Sequence, residues 1–146
     1  MSDRTDQLLF VVRDIITSEV GSGALRTSEL RLLGQSLFPQ SMFLGVFPAR
    51  AQIPAAHGRA IYLQNTQPLP LGGRHWLAVG LEPGYPPLLF DSYGRVPSRT
   101  WMPELQHMET TDPDCNQRNG SSLCGQLCLA WGKIFELHGR DVAARV

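Results

Sequence analysis

The stretch that most constrains the fold runs from Asn116 to Trp131, where a polar, glycine-containing loop changes abruptly into an apolar segment. From Leu123 onward, apolar residues recur at helical spacing on both faces of the segment. Gly139 follows as a favourable terminator of a helix. We therefore expect a helix that is buried on all sides in the middle of the domain.

Cys124 falls in the first turn of this predicted helix, whose start Ser121 or Ser122 can cap. Unpaired N–H groups and the macrodipole at a helix N-terminus favour an anion, so the thiol is expected to ionise readily to the thiolate that attacks carbonyl groups. A free cysteine is also a common buried apolar residue, which is the interpretation we adopt for Cys128. For Cys124 we favour a nucleophile, because a candidate base, acid and amide occur elsewhere in the chain.

The segment from His75 to Ser92 predicts a β-hairpin with its turn at residues 82–85. A turn centred there pairs His75 with Asp91, and directly opposed residues have Cβ atoms about 4.5–5.5 Å apart. That separation allows a hydrogen bond from the imidazole to the carboxylate. A carboxylate that orients an imidazole next to a thiolate is the arrangement of orienting group, base and nucleophile that covalent catalysis uses.

Two further residues complete the predicted site. Gln117 can offer a side-chain N–H, and Cys124 its backbone N–H, to the oxyanion that forms on an attacked carbonyl group. Trp76, adjacent to His75, can lie against the imidazolium or form a wall of a substrate groove. Each residue also has a simpler interpretation, as a strand-end histidine, a turn aspartate or a solvated glutamine. Their joint occurrence in this order favours a catalytic set.

Composition and charge restrict the possible functions. A chain of 146 residues with 42% apolar residues suits one globular domain with a single core. Thirteen basic and thirteen acidic residues give a formal net charge of zero, so no overall field attracts nucleic acid or an anionic membrane. Because no apolar stretch approaches the roughly 18 residues of a membrane-spanning helix, we expect no membrane association.

The cysteines and histidines indicate the compartment and the cofactor requirement. Cys115, Cys124 and Cys128 are an odd number without the spacing of a disulfide framework, and no basic segment precedes an apolar one to direct secretion. A reducing, cytosolic or nuclear compartment is therefore predicted. The four histidines show no metal-ligand spacing with these cysteines. We therefore expect no metal site, and we expect that the chemistry requires no cofactor.

A single domain spanning residues 1–146 is predicted, with an N-terminal extension at 1–26 and a core at 27–146. Within the extension, apolar residues at helical spacing predict an amphipathic helix over 1–20. The glycine-rich residues 21–23 then predict a flexible connection.

Three further segments are predicted before the hairpin. Thr27 is a candidate N-cap for a short helix that Gly34 ends. The apolar run 42–47 suits a short strand or a loop docked on the core, and the run 60–65 suits a buried strand. The proline- and glycine-rich residues 68–73 predict a loop.

With these residues in this order, the chain resembles the adenovirus protease (adenain) family, within the wider class of SUMO and ubiquitin-like-protein proteases. The resemblance runs from about Thr27 to about Trp131. Its motifs are Phe43-Leu44-Gly45, Gly-Gly-x-His75-Trp76, Phe90-Asp91-Ser92-Tyr93-Gly94, Gln117, and Cys124-Gly125-x-x-Cys128. It implies an α+β fold in which a mixed central β-sheet packs against a buried central helix that carries the nucleophilic cysteine.

The same resemblance implies roles and a function. The implied site comprises the nucleophile Cys124, the general base His75, its orienting acid Asp91 where adenoviral sequences carry Glu, the oxyanion donor Gln117, and the substrate-binding residues Trp76 and Gly125. The implied function is a cysteine endopeptidase of a DNA virus or a related mobile element. It would cleave capsid and core precursor proteins at glycine-containing sites during virion maturation, in the virion and the host nucleus.

Family members are activated by a short peptide from a capsid precursor and by viral DNA, so both are possible partners by resemblance. Residues 1–26 have no recognisable counterpart in the family, and adenoviral enzymes continue through a further helical region after the residues that match this chain. The pattern therefore suggests a reduced or divergent relative. Alternative functions are an isopeptidase that trims ubiquitin-like modifiers, which also end in Gly-Gly, an inactive relative that only binds such tails, or a scaffold protein.

Overall fold

The part of the chain that the computed structural model describes comprises residues 4–66, 75–93, 107–112 and 123–146. Its elements are, in chain order, α1 (Arg4–Val20), α2 (Thr27–Leu37), β1 (Phe43–Phe47), β2 (Ala60–Asn65), β3 (Trp76–Leu81), β4 (Leu88–Phe90), β5 (Glu109–Thr110), α3 (Cys124–His138) and α4 (Arg140–Ala144). The class is α+β with a five-stranded mixed sheet, as predicted at that level.

The sheet has the strand order β1-β2-β3-β4-β5. Its centre is antiparallel, because β3 runs against both β2 and β4, whereas each outer strand lies parallel to its neighbour. All six residues of β2 and the first five of β3 are buried. A strand covered on both faces needs apolar side chains in both directions, which explains why these two segments are nearly continuous apolar runs.

Each face of the sheet carries its own apolar cluster. Alternate residues of β2 go to opposite faces, so Ile61 and Leu63 join one cluster and Tyr62 joins the other. The larger cluster is shared with the helices and includes Leu9, Leu30, Trp76, Phe90, Leu127, Trp131 and Phe135. The smaller cluster comprises Ala49, Tyr62, Leu77, Val79 and Leu89.

Helix α3 joins most of these layers. Eleven of its fifteen residues are buried, which is why its apolar residues cover both faces rather than one stripe. The indole of Trp131 stacks on the rings of Phe90 and Phe135, each with its centroid 5.6 Å away. The helix ends at Gly139, which has a φ of 88° and donates its N–H to the carbonyl of Phe135. The predicted glycine terminator is thus confirmed.

The start of α3 differs from the prediction. The N-cap residue is Leu123, whose side chain cannot accept a hydrogen bond from the first turn, so the cap is not a serine. Ser121 and Ser122 lie outside the described residues. Cys124 is therefore the first helical residue, in a turn whose N–H groups have no side-chain cap.

Helix α2 is longer than predicted. Thr27 is its first residue rather than its N-cap, and Gly34 lies inside it instead of ending it. The ring of Phe43 occupies the space where a side chain at position 34 would lie, so this glycine allows a close contact between α2 and β1. The helix ends only at Leu37, two residues before Pro39.

The other predicted elements agree with the structure or lie outside it. The N-terminal helix is α1, and two of its buried residues, Leu9 and Ile16, belong to the larger apolar cluster. Of the two possibilities left open for the run 42–47, the structure shows the strand β1. The strand at 60–65 is β2, and the predicted loop at 68–73 is outside the described residues.

Two short elements, β5 and α4, were not predicted. They lie close together, because Arg140 at the start of α4 forms an ion pair with Glu109 of β5 at 2.8 Å. Each is too short to produce a clear periodic pattern in the sequence. Among the described helices, none is long and apolar enough to cross a membrane.

Candidate active site

His75 and Asp91 lie at the same end of the central antiparallel pair. His75 directly precedes β3, and Asp91 directly follows β4. The strands pair Ala78 with Phe90, which is a register two residues away from the predicted one. Continued to the strand ends, this register puts His75 opposite Tyr93 and leaves Asp91 as its diagonal neighbour. The predicted direct opposition is therefore wrong.

The predicted contact between the two side chains is nevertheless present. His75 Nε2 and Asp91 Oδ1 are 2.8 Å apart, and both side chains are buried. A shift of two residues keeps a side chain on the same face of a strand, and diagonal neighbours remain within reach of long side chains. The imidazole and the carboxylate can therefore still meet.

Tyr93 supports both members of this pair. Its backbone N–H donates to Asp91 Oδ1 at 2.9 Å. Its ring stacks on the imidazole of His75 with centroids 4.8 Å apart and planes inclined by 29°. The carboxylate and the imidazole are thus each held from a second direction, and the orientation of the histidine is well defined.

The side chain of Cys124 acts on the imidazole of His75 and raises its pKa. Because Nε2 is engaged with Asp91, Nδ1 is the ring nitrogen left for the thiol. Burial by itself lowers the pKa of His75, but the hydrogen bonds and charges of Asp91 and Cys124 outweigh burial. The pKa of His75 is consequently raised above 6.5, which favours the imidazolium.

Cys124 responds in the opposite direction. Burial by itself raises the pKa of its thiol, yet the hydrogen bond from His75, the backbone N–H of Trp76, the charge of His75 and the backbone N–H of Gly125 together outweigh burial. The pKa of Cys124 therefore lies below its ordinary value of 9.0. The site favours a thiolate beside an imidazolium, the form in which a cysteine is nucleophilic.

Cys128 lies one turn further along α3 and has a different character. It is fully buried, and its Sγ donates to the backbone carbonyl of Trp76 at 3.3 Å. Burial, together with the negative charges of Cys124 and Asp91, raises its pKa well above 9.0. Cys128 therefore stays a neutral thiol, in the buried position that the sequence suggested.

The two predicted substrate-binding residues contribute their backbone rather than an open surface. The side chain of Trp76 is only 2% exposed and belongs to the larger apolar cluster. Its Nε1 has no hydrogen-bond partner within the described ranges. Gly125 is buried too, facing Leu30 and Leu25. The buried indole therefore does not form a groove wall, whereas the backbone of both residues contributes to the lowered pKa of Cys124.

Of the two predicted oxyanion donors, only the backbone N–H of Cys124 belongs to the described residues. Gln117 lies outside the described residues, so its placement stays a prediction. The backbone N–H of Cys124 is at the first position of α3, where N–H groups have no intrahelical acceptor. It can therefore donate to an oxygen that develops negative charge next to the sulfur.

Two residues near the site were missed by sequence reasoning. Tyr93 had a signal, because it lies two positions after Asp91 and two-residue spacing keeps side chains together at a strand end. Gln126 had one as well, since it is a polar residue in the middle of an apolar helical run. It is fully buried and donates to the carbonyls of Gly21 and Gly23.

Within the described ranges, no group of three or more His, Cys, Asp or Glu side chains is arranged to hold a metal ion. No protein-family model matches the sequence, and a search of curated proteins gave no match. The resemblance to adenain-like proteases therefore stays a prediction from the sequence motifs. The geometry by itself supports covalent chemistry at a cysteine.

Proposed function

We propose that the protein is a cysteine endopeptidase with an adenain-like active site and a central helix that carries its nucleophile. The observation that carries this proposal is the hydrogen bond between Asp91 and His75, combined with the mutual effect of His75 and Cys124, which raises the pKa of the histidine and lowers that of the cysteine. A single perturbed cysteine occurs in many proteins, but a cysteine next to a base and an orienting acid is the arrangement that nucleophilic catalysis uses.

The reaction follows from these positions. The thiolate of Cys124 attacks the carbonyl carbon of the scissile peptide, and the negative charge moves to the carbonyl oxygen. The imidazolium of His75 gives its proton to the leaving amine as the C–N bond breaks, which leaves a thioester on Cys124. Neutral His75 then accepts a proton from water, whose oxygen attacks the thioester and releases the acid, while Asp91 holds the imidazole in place.

The oxyanion is stabilised by the backbone N–H of Cys124 and, by the motif resemblance, by the side-chain amide of Gln117. Mutagenesis of comparable donors in other enzymes gives losses of about 10²–10³ in kcat for one donor. The proposed role of Gln117 therefore accounts for only part of the rate enhancement.

The proposed substrates are capsid and core precursor proteins of a DNA virus or a related mobile element, cleaved at glycine-containing sites during maturation in the virion or the host nucleus. Cys124 and His75 are only 7% and 6% exposed, which leaves little room beside the sulfur for a large side chain. A slender glycine-containing chain suits such access. The resemblance also makes a peptide or DNA activator part of this proposal.

The test is covalent labelling of the purified protein with a glycine-ended peptide electrophile and, in parallel, with a ubiquitin-like protein that carries the same electrophile. We expect the peptide probe to label Cys124, located by mass mapping, and the Cys124→Ala variant to lose both labelling and peptide hydrolysis. If the ubiquitin-like probe labels the protein instead, the proposed activity is that of an isopeptidase and not of an endopeptidase.

Cys128→Ala is the matched control, because it removes a thiol from the same helix one turn away. We expect it to lower the unfolding temperature more than it lowers the labelling rate, since its thiol supports Trp76 and is not the nucleophile. Equal hydrolysis by the parent protein and Cys124→Ala would overturn the proposed function.

A further inference from the structure

The connection between α1 and α2 lies across the first turn of α3. Gln126, the third residue of α3, is fully buried and donates its side-chain Nε2 to the carbonyls of Gly21 at 3.2 Å and Gly23 at 2.7 Å. Two carbonyl acceptors require the nitrogen rather than the oxygen of the amide to face the connection. One side chain thus joins the end of α1 to the turn that contains Cys124.

A second contact joins the same two parts of the chain. Gly125 is buried, and a Cβ placed on it would lie 3.0 Å from Leu30 Cδ2 and 3.5 Å from Leu25 Cβ. The connection and α2 therefore approach the backbone of α3 directly beside Cys124. Leu25 and Leu30 are themselves almost completely buried, so this contact continues the main core.

Leu123 provides no side-chain cap, and the N–H groups of a first helical turn lack intrahelical acceptors. The N–H of Gly125 in this turn is also one of the groups that lower the pKa of Cys124. A small change in the angle of this turn would move both the sulfur and that donor away from His75.

We propose that Gln126 is a positioning residue for Cys124, which fixes the first turn of α3 against the Gly21–Arg26 connection and so keeps the thiol aligned with His75. This inference rests on the proposed role of Cys124 as the nucleophile. It gives the N-terminal extension a part in the site, since the carbonyls that Gln126 binds belong to that extension.

The experiment compares Gln126→Met in the full chain with the parent protein and with Lys133→Met. Methionine matches glutamine in length but has no N–H donor. Lys133 is the matched control, because it lies two turns further along α3 and also donates to a backbone carbonyl of another segment, that of Leu37 at 2.8 Å. Each variant removes hydrogen bonds that connect α3 to another segment, but only those of Gln126 lie next to Cys124.

The readout is the pH dependence of the alkylation rate of Cys124 by iodoacetamide, followed by mass mapping. For Gln126→Met we expect the rate at neutral pH to fall about threefold to tenfold and the inflection to move to higher pH, because a misaligned thiolate loses its donors. Among the described residues, the titratable groups that interact with Cys124 are His75, with Asp91 behind it, and Cys128. Lys133→Met should lower stability and leave the inflection in place.

An unchanged inflection in Gln126→Met, or the same shift in Lys133→Met, would overturn the positioning role. If Gln126→Met does not fold, Gln126→Asn repeats the test with an amide that is one methylene too short to reach both carbonyls. Alkylation does not require peptide hydrolysis. A protein that hydrolyses no peptide but shows the shifted profile would thus contradict the proposed function and still support the positioning role.

Discussion

His75 and Cys124 depend on each other, and His75 also on Asp91, for their protonation states. Asp91 and Cys124 hold the proton on His75 against the effect of burial, and His75 holds the charge on Cys124 against the same effect. A lone buried cysteine would have a raised pKa, as Cys128 does on the same helix. The nucleophilic character of Cys124 is therefore a property of the group and not of its position alone.

This coupling predicts a bell-shaped pH dependence of peptide hydrolysis. As the pH falls through the lowered pKa of Cys124, the thiolate gains a proton and activity is lost, below the ordinary thiol value of 9.0. As the pH rises through the raised pKa of His75, above 6.5, the proton needed by the leaving amine is lost. The measurement is kcat/KM against pH, and a rate that stayed level across both limbs would contradict the coupling.

Asp91→Asn should alter this profile in a defined direction. Without the carboxylate the pKa of His75 falls, so the alkaline limb moves to lower pH. The rate should fall about tenfold to a hundredfold, within the roughly 10²–10⁴-fold that a positioned acid–base group contributes. The same pH series, measured for both proteins, checks this. If the Asp91→Asn variant matched the parent at every pH, Asp91 would have no part in the site.

At the scale of elements, the position of α3 over the sheet depends on close approaches at glycine. A Cβ on Gly80 of β3 would lie 2.7 Å from Cε1 of Phe135. That ring is confined on one side by Trp131 at 5.6 Å and on the other by the guanidinium of Arg59 at 4.8 Å. Helix and strand can be this close only because the strand residue has no side chain.

Gly80→Ala is accordingly expected to cost about 1–3 kcal/mol of unfolding free energy, as overpacking of a filled core does. Denaturant unfolding monitored by tryptophan fluorescence would measure this cost. Gly58→Ala is the control, because no described atom outside its immediate neighbours lies within 4 Å of its added Cβ. It should change stability by less than about 0.5 kcal/mol. Equal effects of the two substitutions would contradict the packing argument.

At the scale of the whole molecule, Trp131 connects the sheet, α3 and α4. Its indole stacks on Phe90 of β4 and on Phe135, and its Nε1 donates to the carbonyl of Ala143 at 3.0 Å. All of these groups are fully buried. One side chain therefore holds the last helix against the rest of the core.

Two substitutions at Trp131 separate its contributions. Trp131→Phe keeps an aromatic ring but removes the indole donor to the carbonyl of Ala143, which keeps the N–H of Val146 at 3.3 Å, so the lost hydrogen bond should cost about 0.5–1.5 kcal/mol. Trp131→Leu also removes the stacking and part of the volume, for a total cost of about 3–5 kcal/mol. Urea unfolding would measure both. Two equal losses would show that the stacking contributes nothing beyond the hydrogen bond.

Much of the candidate site was predictable because its residues carry local signals. An apolar helix that begins at a cysteine, and a histidine and an aspartate at the ends of a hairpin, can be recognised from periodicity and spacing. Periodicity of two also explains why a register error of two residues did not separate His75 from Asp91. The α+β class was implied by the motif resemblance, and the structure shows it.

The relations between distant segments are visible only in the folded structure. No local pattern shows that Gly34 faces Phe43, that Trp76 is buried with only its backbone at the site, or that Gln126 binds the connection after α1. These outcomes depend on which surfaces meet when the helices pack on the sheet. Local propensities and side-chain periods depend on neighbouring residues, whereas packing depends on the fit between residues that are far apart in the chain.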